Sequence, residues 1–408
     1  MKRHYTLSGL LLCLMTLFTL SASAAPDKDY LCFTAETAGS TVKLIKFGSP
    51  TAVTIEYSTD GTTWSTYTFS TDITLTNVGD KVYFRNASSG VTTFSKGLSR
   101  CYYFGMSGTI AASGNVMSLI DSTCSATNIP SGYCFCNLFA NCDALTSAPE
   151  LPATILKQFC YQSMFEGCTA LNFVKVGFSD FGTNTTPDWL SNVASKGIFL
   201  CPDALSTSLA STTRSASNVP EGWSINGYDL TVSAVGWASM YLPIDVTIPE
   251  DVEVYYAASA SGDVVTLKPI TDIIPACTGV IVKADEGTVF FPYPTTAATP
   301  VEGNLYEGVT SATACSAGEN YVLAPTTTPD MPWFSNYTGT SLGAFKAYLP
   351  KSAVGGASSI QFRFADATAI STVETEVAED VIYNLAGQRV GSDYRGLGIK
   401  NGKKILKR

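Results

Sequence analysis

Histidine is almost missing from this chain: among 408 residues the single example is His4. From residue 5 onward its absence excludes Ser-His-Asp and Cys-His nucleophilic catalysis, histidine acid–base work and every zinc site that needs an imidazole. Chemistry by paired carboxylates survives that exclusion. Charge is also scarce, at 14% of residues against 45% hydrophobic. Beyond Leu20 no uninterrupted apolar run approaches the roughly 20 residues that span a bilayer, so no integral membrane segment is expected there. Few charges and abundant Ser and Thr suit β-sheets with hydroxyl surfaces better than charged helices, and the apolar content argues against disorder.

The charge that is present is unevenly placed. The formal total is −9. The first 24 residues carry +2 and residues 381–408 carry +6, which leaves about −17 for the body between them. Nucleic acid and anionic membranes need Lys and Arg patches, so neither is an expected partner. A solvated acidic surface accounts for the charge without any partner.

Lys2 and Arg3 precede the apolar run Leu10–Leu20 and the small residues Ser21–Ala25. This order is that of a secretory signal peptide over residues 1–24, with cleavage between Ala24 and Ala25. Cys13 lies inside the apolar run behind Leu12, which does not suit a lipid-anchored precursor. Export to the cell surface or the medium is the expectation.

The remaining length allows two to four domains. Residues 26–110 read as short strands with turns: Val53–Tyr57 alternates, Asp60-Gly61 turns, and β-rich stretches follow at Thr66–Phe69, Ile73–Leu75 and Val82–Arg85, as in a small sandwich. Trp64 fits cross-strand packing. The middle repeats. YCFCNLFANCDAL (Tyr133–Leu145) aligns with FCYQSMFEGCTAL (Phe159–Leu171) at an offset of 26 residues, matching Cys134 with Cys160, Phe139 with Phe165, Cys142 with Cys168 and Leu145 with Leu171. The same step backward reaches Leu119, and forward it lands beside Ile198, giving two clear coils with a degenerate one on each side. The period falls within the about 20–29 residues of leucine-rich repeats, in which aromatic, thiol and leucine point inward and neighbouring coils bury each other. The strand of the second coil reads Leu171-x-x-Val174-x-Val176. With so few coils, flanking domains are expected to cover the ends.

Strand patterns return at Val252–Tyr256, Val264–Leu267, Gly279–Lys283 and Thr288–Phe291. The expected fold is therefore mainly β and multidomain. It comprises an N-terminal β-sandwich (26–110), a short leucine-rich-repeat solenoid with its closing segment (111–225), a second all-β domain (226–365), an acidic linker (366–380) and a C-terminal β-hairpin tail (381–408). In the tail Asn401-Gly402 is the preferred two-residue hairpin turn.

These residues resemble a known family. SAPELPATILKQFCYQSMFEGCTAL (Ser147–Leu171) looks like one unit of the BspA-like leucine-rich repeats of exported surface proteins from anaerobic gut and oral bacteria. EYSTDGTTW (Glu56–Trp64) and GDKVYFRN (Gly79–Asn86) resemble the domain that precedes such repeats, and NVPEGWSI (Asn218–Ile225) resembles their closing segment. VGWASMYLP (Val235–Pro243) and IPACTGVIVKA (Ile274–Ala284) resemble the β domain after them. The tail, with Gly387, Arg389, Gly396, Asn401, Gly402, Lys403 and Lys404, resembles C-terminal sorting segments of the same bacteria. The chain departs in having one complete unit where relatives often carry many, and in Gly398, which stands where an aromatic is usual and weakens a strand. The resemblance implies an adhesive binding role towards a host matrix protein or a glycan, and Asp121-Ser122-Thr123 matches an O-glycosylation acceptor pattern at Ser122.

Twelve cysteines raise three readings. Equivalent cysteines on stacked coils favour buried free thiols over bridges, because parallel side chains strain the disulfide dihedral. A zinc site at Cys134-x-Cys136 with Cys142 lacks a second matching pair. No cofactor or metal is expected. The carboxylates Glu250, Asp251 and Glu253, or Asp285 and Glu286, fit turns better than the about 5–9 Å acid pair of a glycosidase, and core packing is expected for Tyr161 and Trp333. A non-enzymatic binding protein leads. A structural or decoy surface component without a ligand comes second, and a two-carboxylate carbohydrate-active enzyme last.

Overall fold

The computed structural model describes residues 26–324, 333–356 and 359–365, and in the tail residue 395 and the strands within 382–407. The expected signal segment, including Ala24 and Ala25, lies outside the described residues, as do the linker 366–380 and Gly387, Asn401 and Gly402. The fold is mainly β: several sheets and, among the described residues, one α-helix, Asp203–Leu209. By its contacts the chain divides into a unit ending at Phe362 and a smaller one from Arg363 onward.

The first unit begins with two sheets packed face to face. One runs, in spatial order, Ser65–Thr66, Ile55–Ser58, Lys81–Asn86, Leu31–Ala35, Ile110–Ser113 and Leu145–Ser147; the other runs Ile73–Leu75, Ser40–Phe47 and Cys101–Ser107. Alternation decides which side chains meet between them. In Ser40–Phe47, residues 40, 42 and 44 are buried while 41, 43 and 45 are only partly so. Phe33 and Phe84 of the first sheet lie 4.8 and 5.3 Å from Phe104 of the second, ring centre to ring centre. Trp64 packs edge-on against Tyr30, with the Arg85 guanidinium 4.0 Å over its ring.

From Tyr133 the chain winds in stacked turns, and the backbone repeats more faithfully than the side chains. Left-handed φ angles occur at Tyr133, Asn137 and Asn141, at Phe159, Ser163 and Gly167, and at Asn184, Asp188 and Asn192. Each such residue turns the chain so that alternate amides point along the stack. Phe135 N donates to Cys160 O (2.9 Å) and Phe139 N to Met164 O (2.8 Å); one turn later Tyr161 N donates to Thr185 O (3.0 Å) and Phe165 N to Trp189 O (2.9 Å). Asn and Asp tolerate this conformation better than other residues with a Cβ. At Gly167 glycine is required twice over, since its φ is +77° and an added Cβ would sit 2.6 Å from Asn141 Oδ1.

The side chains inside form columns. Phe139 stacks on Phe165 at 5.3 Å with the rings 3° from parallel, and Phe104 stacks on the other face of Phe139 at 5.3 Å and 12°. Phe104 belongs to the second sheet, so the open end of the winding is closed by the N-terminal sheets, and one hydrophobic core runs from Leu31 to Trp223. At the far end Leu190 takes the place of the phenylalanine, its amide donating to Ala216 O (3.0 Å), Trp189 lies tilted against Phe165 at 6.3 Å, and Trp223 is buried with its Nε1 donating to Ala194 O (2.7 Å). On the strand side, Phe173–Lys175, Gly197–Leu200 and Trp223–Ile225 form a parallel sheet.

The third part has its own core. A nine-stranded sheet starts at Trp237–Met240 and ends at Glu307–Val309, and it curls almost into a barrel; Tyr241 N, just past its first strand, donates to Phe345 O (3.1 Å), just before the strand Lys346–Pro350 near the other edge. Trp333, expected in the core, is instead 41% exposed: on the strand Trp333–Asn336 the buried parity belongs to Phe334. In the tail unit Arg389–Val390, Ile382–Asn384, Gly396–Lys400 and Lys403–Lys407 form one antiparallel sheet, with Lys400 opposite Lys403 and Gly398 opposite both Asn384 and Ile405.

Candidate functional site

Residues that point into the winding and residues that point out of it have different fates. Leu119, Cys134, Phe139, Cys142, Leu145, Cys160, Phe165, Cys168 and Leu171 are all buried, and they build core rather than surface. Leu119 is placed differently from its 26-residue offset: it ends a 3-10 turn, and the strand residue opposite Leu145 is Ile110. A fixed offset fails there because the neighbour of the first coil is a strand of the N-terminal sheets, not another coil.

All eleven described cysteines are free thiols. The Cys142 thiol donates to Phe104 O (3.2 Å) and the Cys168 thiol to Phe139 O (3.0 Å), each reaching one layer back along the stack. Burial pushes Cys142 and Cys160 up to about 12, so these thiols stay protonated and act as small apolar fillers. Among the described residues no three His, Cys, Asp or Glu side chains gather as metal ligands. Tyr161 is fully buried. Glu250, Asp251, Glu253, Asp285 and Glu286 are exposed; Asp251 occupies a turn with φ +61°, and Glu253 pairs with Lys283 at 2.8 Å. Ser122 is half-buried beside Asp121, whose carboxylate accepts from the Thr123, Ser125 and Ala126 amides.

The outward face of the parallel strands is where a site forms. Along Phe173-Val174-Lys175 the middle residue enters the core and its neighbours face out. Ile198 and Leu200, outward on the next strand, are buried under the core of the third part with Leu242, Ile244 and Phe291. That cover is incomplete. Beside it lie two adjoining hollows of about 670 and 460 Å³ that share Lys175, Leu200, Asp245 and Tyr293.

The polar groups of this cleft are held in place. Lys175 Nζ bonds Glu150 Oε1 at 2.5 Å, and that bond raises the lysine's pKa. Asp29 is raised by burial first and by the nearby Glu150 charge second. Asp245 accepts from the Ala276 amide (2.7 Å) and the Ala298 amide (3.2 Å). Asn226 clamps Cys201 through both its amide atoms, at 2.9 and 3.0 Å, and its own carbonyl accepts from the Tyr293 amide at 2.9 Å, so the ring of Tyr293, 46% exposed, stands on a fixed backbone. The thiol of Cys201 is pushed up to about 12, first by burial and then by Asp203. With a protonated thiol, an exposed aromatic, one lysine and the carboxylates of Asp29, Glu150, Asp203 and Asp245, the cleft can stack on and hydrogen-bond to a hydroxyl-rich ligand.

None of these cleft residues was singled out by the sequence. Lys175 sits between the two valines of the expected coil strand, and outward position on that strand was the only signal pointing to it. Asp29, Asp245 and Tyr293 reach the cleft by tertiary folding alone.

No family model matches the chain, and comparison with the curated proteins and with the solved structures returns no match.

Proposed function

We propose that this chain is an exported binding protein of the BspA-like leucine-rich-repeat kind, at the cell surface or released from it, and that the cleft beside Lys175 and Tyr293 is where its ligand sits. The stacked turns are then a short leucine-rich-repeat coil between two β domains, and the tail is a sorting segment. The resemblance supplies the class; the ring column of Phe104, Phe139 and Phe165 and the recurring left-handed turns support the coil reading. The single observation that carries the binding site is the exposed Tyr293 ring, on a backbone held by Asn226, beside the two carboxylates Asp203 and Asp245 in a hollow of about 670 Å³ that adjoins a second one lined by Asp29 and Glu150. Four acids against one lysine disfavour anionic ligands, so a neutral glycan, whose hydroxyls bond carboxylates and whose C–H faces stack on tyrosine, fits better than an acidic one.

The test is binding of the purified chain to a panel of neutral and acidic oligosaccharides and of extracellular-matrix proteins. Saturable binding to a neutral glycan, weakened about tenfold or more by Tyr293→Ala, is expected. Absence of saturable binding across the panel would sink the reading. One observation favours the second reading, a structural surface component: Ile198 and Leu200, which an open coil would offer to a partner, are covered by the chain itself.

A further inference from the structure

The curled sheet fails to close at one place. Its first strand, Trp237–Met240, pairs with Val280–Lys283 on one side, and across its other edge the seam to the strand Lys346–Pro350 is bridged by the bond from Tyr241 N to Phe345 O at 3.1 Å. Backbone groups alternate between the two edges of an antiparallel strand. Ala284 N donates to Gly236 O (3.1 Å), so Gly236, Ala238 and Met240 turn their N–H and C=O towards Val280–Lys283, while Ser239 and Tyr241 turn theirs into the seam. Tyr241 meets Phe345 there. At Ser239 the seam opens instead into a hollow of about 390 Å³.

The lining of this hollow is the opposite of the cleft's. Lys346 is its one charged side chain, and no carboxylate lines it. Among the described residues the lysines paired with acids are Lys43, Lys175 and Lys283, and Lys346, which is exposed, is not one of them. Desolvation lowers its pKa first and the Lys196 ammonium second, so it faces a like charge rather than an acid. In a body carrying about −17, a lysine left without a carboxylate has room for an anion from outside the chain. Leu323 and Leu342 give the hollow an apolar wall, and the exposed Thr231 and Ser233 add hydroxyls. A bare inorganic anion would leave that wall unused, whereas an anion attached to a hydrocarbon body would cover it.

We propose that the hollow at the seam binds a small monocarboxylate with an apolar body. The Lys346 ammonium and the Ser239 amide donate to the carboxylate, and the hydrocarbon lies against Leu323 and Leu342. Such charge-assisted bonds are stronger than neutral ones, and the volume falls within the about 300–1,000 Å³ of small-molecule sites. The inference goes beyond the glycan reading, since the hollow shares no lining residue with the cleft beside Tyr293.

The test is calorimetric titration of the full chain with octanoate, with octan-1-ol as the uncharged probe and sulfate as the purely ionic one. Octanoate is expected to saturate one site per chain, about tenfold or more tighter than either other probe. Lys346→Met keeps the apolar stem and removes the ammonium; it is expected to weaken octanoate about tenfold or more while leaving octan-1-ol within about twofold, which also shows that the hollow is intact. Lys81→Met, which removes the same charge from an exposed position on the N-terminal sheets, leaves octanoate binding unchanged. Octanoate bound equally by the wild type and Lys346→Met, octan-1-ol or sulfate bound as tightly as octanoate, or no saturable octanoate binding each overturns the proposal.

Discussion

The winding and the near-barrel solve the same problem, burying a β-rich chain poor in charge, by opposite means. In the winding a single backbone device recurs, a left-handed residue at every fourth position within a turn, and identical positions pile into columns. In the near-barrel nine strands of unequal length curl until the first lies beside the eighth, and its buried residues, among them Ala238, Val265, Val282, Phe334 and Ile360, come from strands far apart in the sequence. A defect in a column is therefore expected to reach the layers above and below it, and one in a curled sheet to stay within its own cluster.

The largest test of that difference is truncation of one ring in each core. Phe139→Ala removes the middle ring of the column and is expected to cost about 3–5 kcal/mol, with amide exchange accelerated from the N-terminal sheets through Trp223. Phe291→Ala, equally buried, costs a similar amount, but the loss of protection stays within the cluster around Leu230 and Val280. Uniform loss of protection in both variants would erase the distinction.

Backbone substitutions sharpen it. Asn141→Val puts a β-branched residue at φ +60° and is expected to destabilise by about 1–2 kcal/mol in denaturant unfolding, whereas Asn141→Gly leaves stability close to wild type.

Two glutamates give the regions opposite pH dependence. Glu36, where the N-terminal sheets meet the first coil strand, is raised above 4.5 by burial, although Thr146 Oγ1 donates to it at 2.9 Å. A raised carboxyl favours the folded state below its unfolded pKa, and that contribution is lost as pH rises through the folded value. Glu36→Gln is therefore expected to lose less stability than the wild type between pH 4 and pH 7. Glu253, on the near-barrel, is lowered by the Lys283 ammonium first and the Tyr255 hydroxyl second, so its contribution is present above the unfolded pKa and lost as pH falls through the folded one. Because that pair is about half exposed, Glu253→Gln should change stability at pH 7 by no more than about 0–1 kcal/mol, the smallest effect of the set.

Much of the winding was legible because its signal is local. Cys134, Phe139, Cys142 and Leu145 recur one turn later in register, and nothing else in the chain needs to be known to align them. The third turn shows in the sequence only as a degenerate coil because it keeps the backbone rule and not the side chains: Asn184, Asp188 and Asn192 satisfy it, while Leu190 stands where the two earlier turns have phenylalanine. Leu119 was misplaced for the converse reason, since a strand from the N-terminal sheets takes the position an earlier coil would have held. Trp333 pointed outward because its strand's parity is set by Phe334, which a single aromatic in a short apolar stretch does not reveal.

What the sequence determined by itself was therefore the β character of the chain, the period of its middle and the chemistry denied to it by a missing imidazole, because composition and spacing act through neighbours along the chain. Tertiary structure alone decided that the outward strand face is mostly covered and that a cleft is left beside it. Asp29, Lys175, Asp245 and Tyr293 come together there because separate cores, packing for their own burial, leave a gap at their border, and no local pattern encodes where two cores will meet.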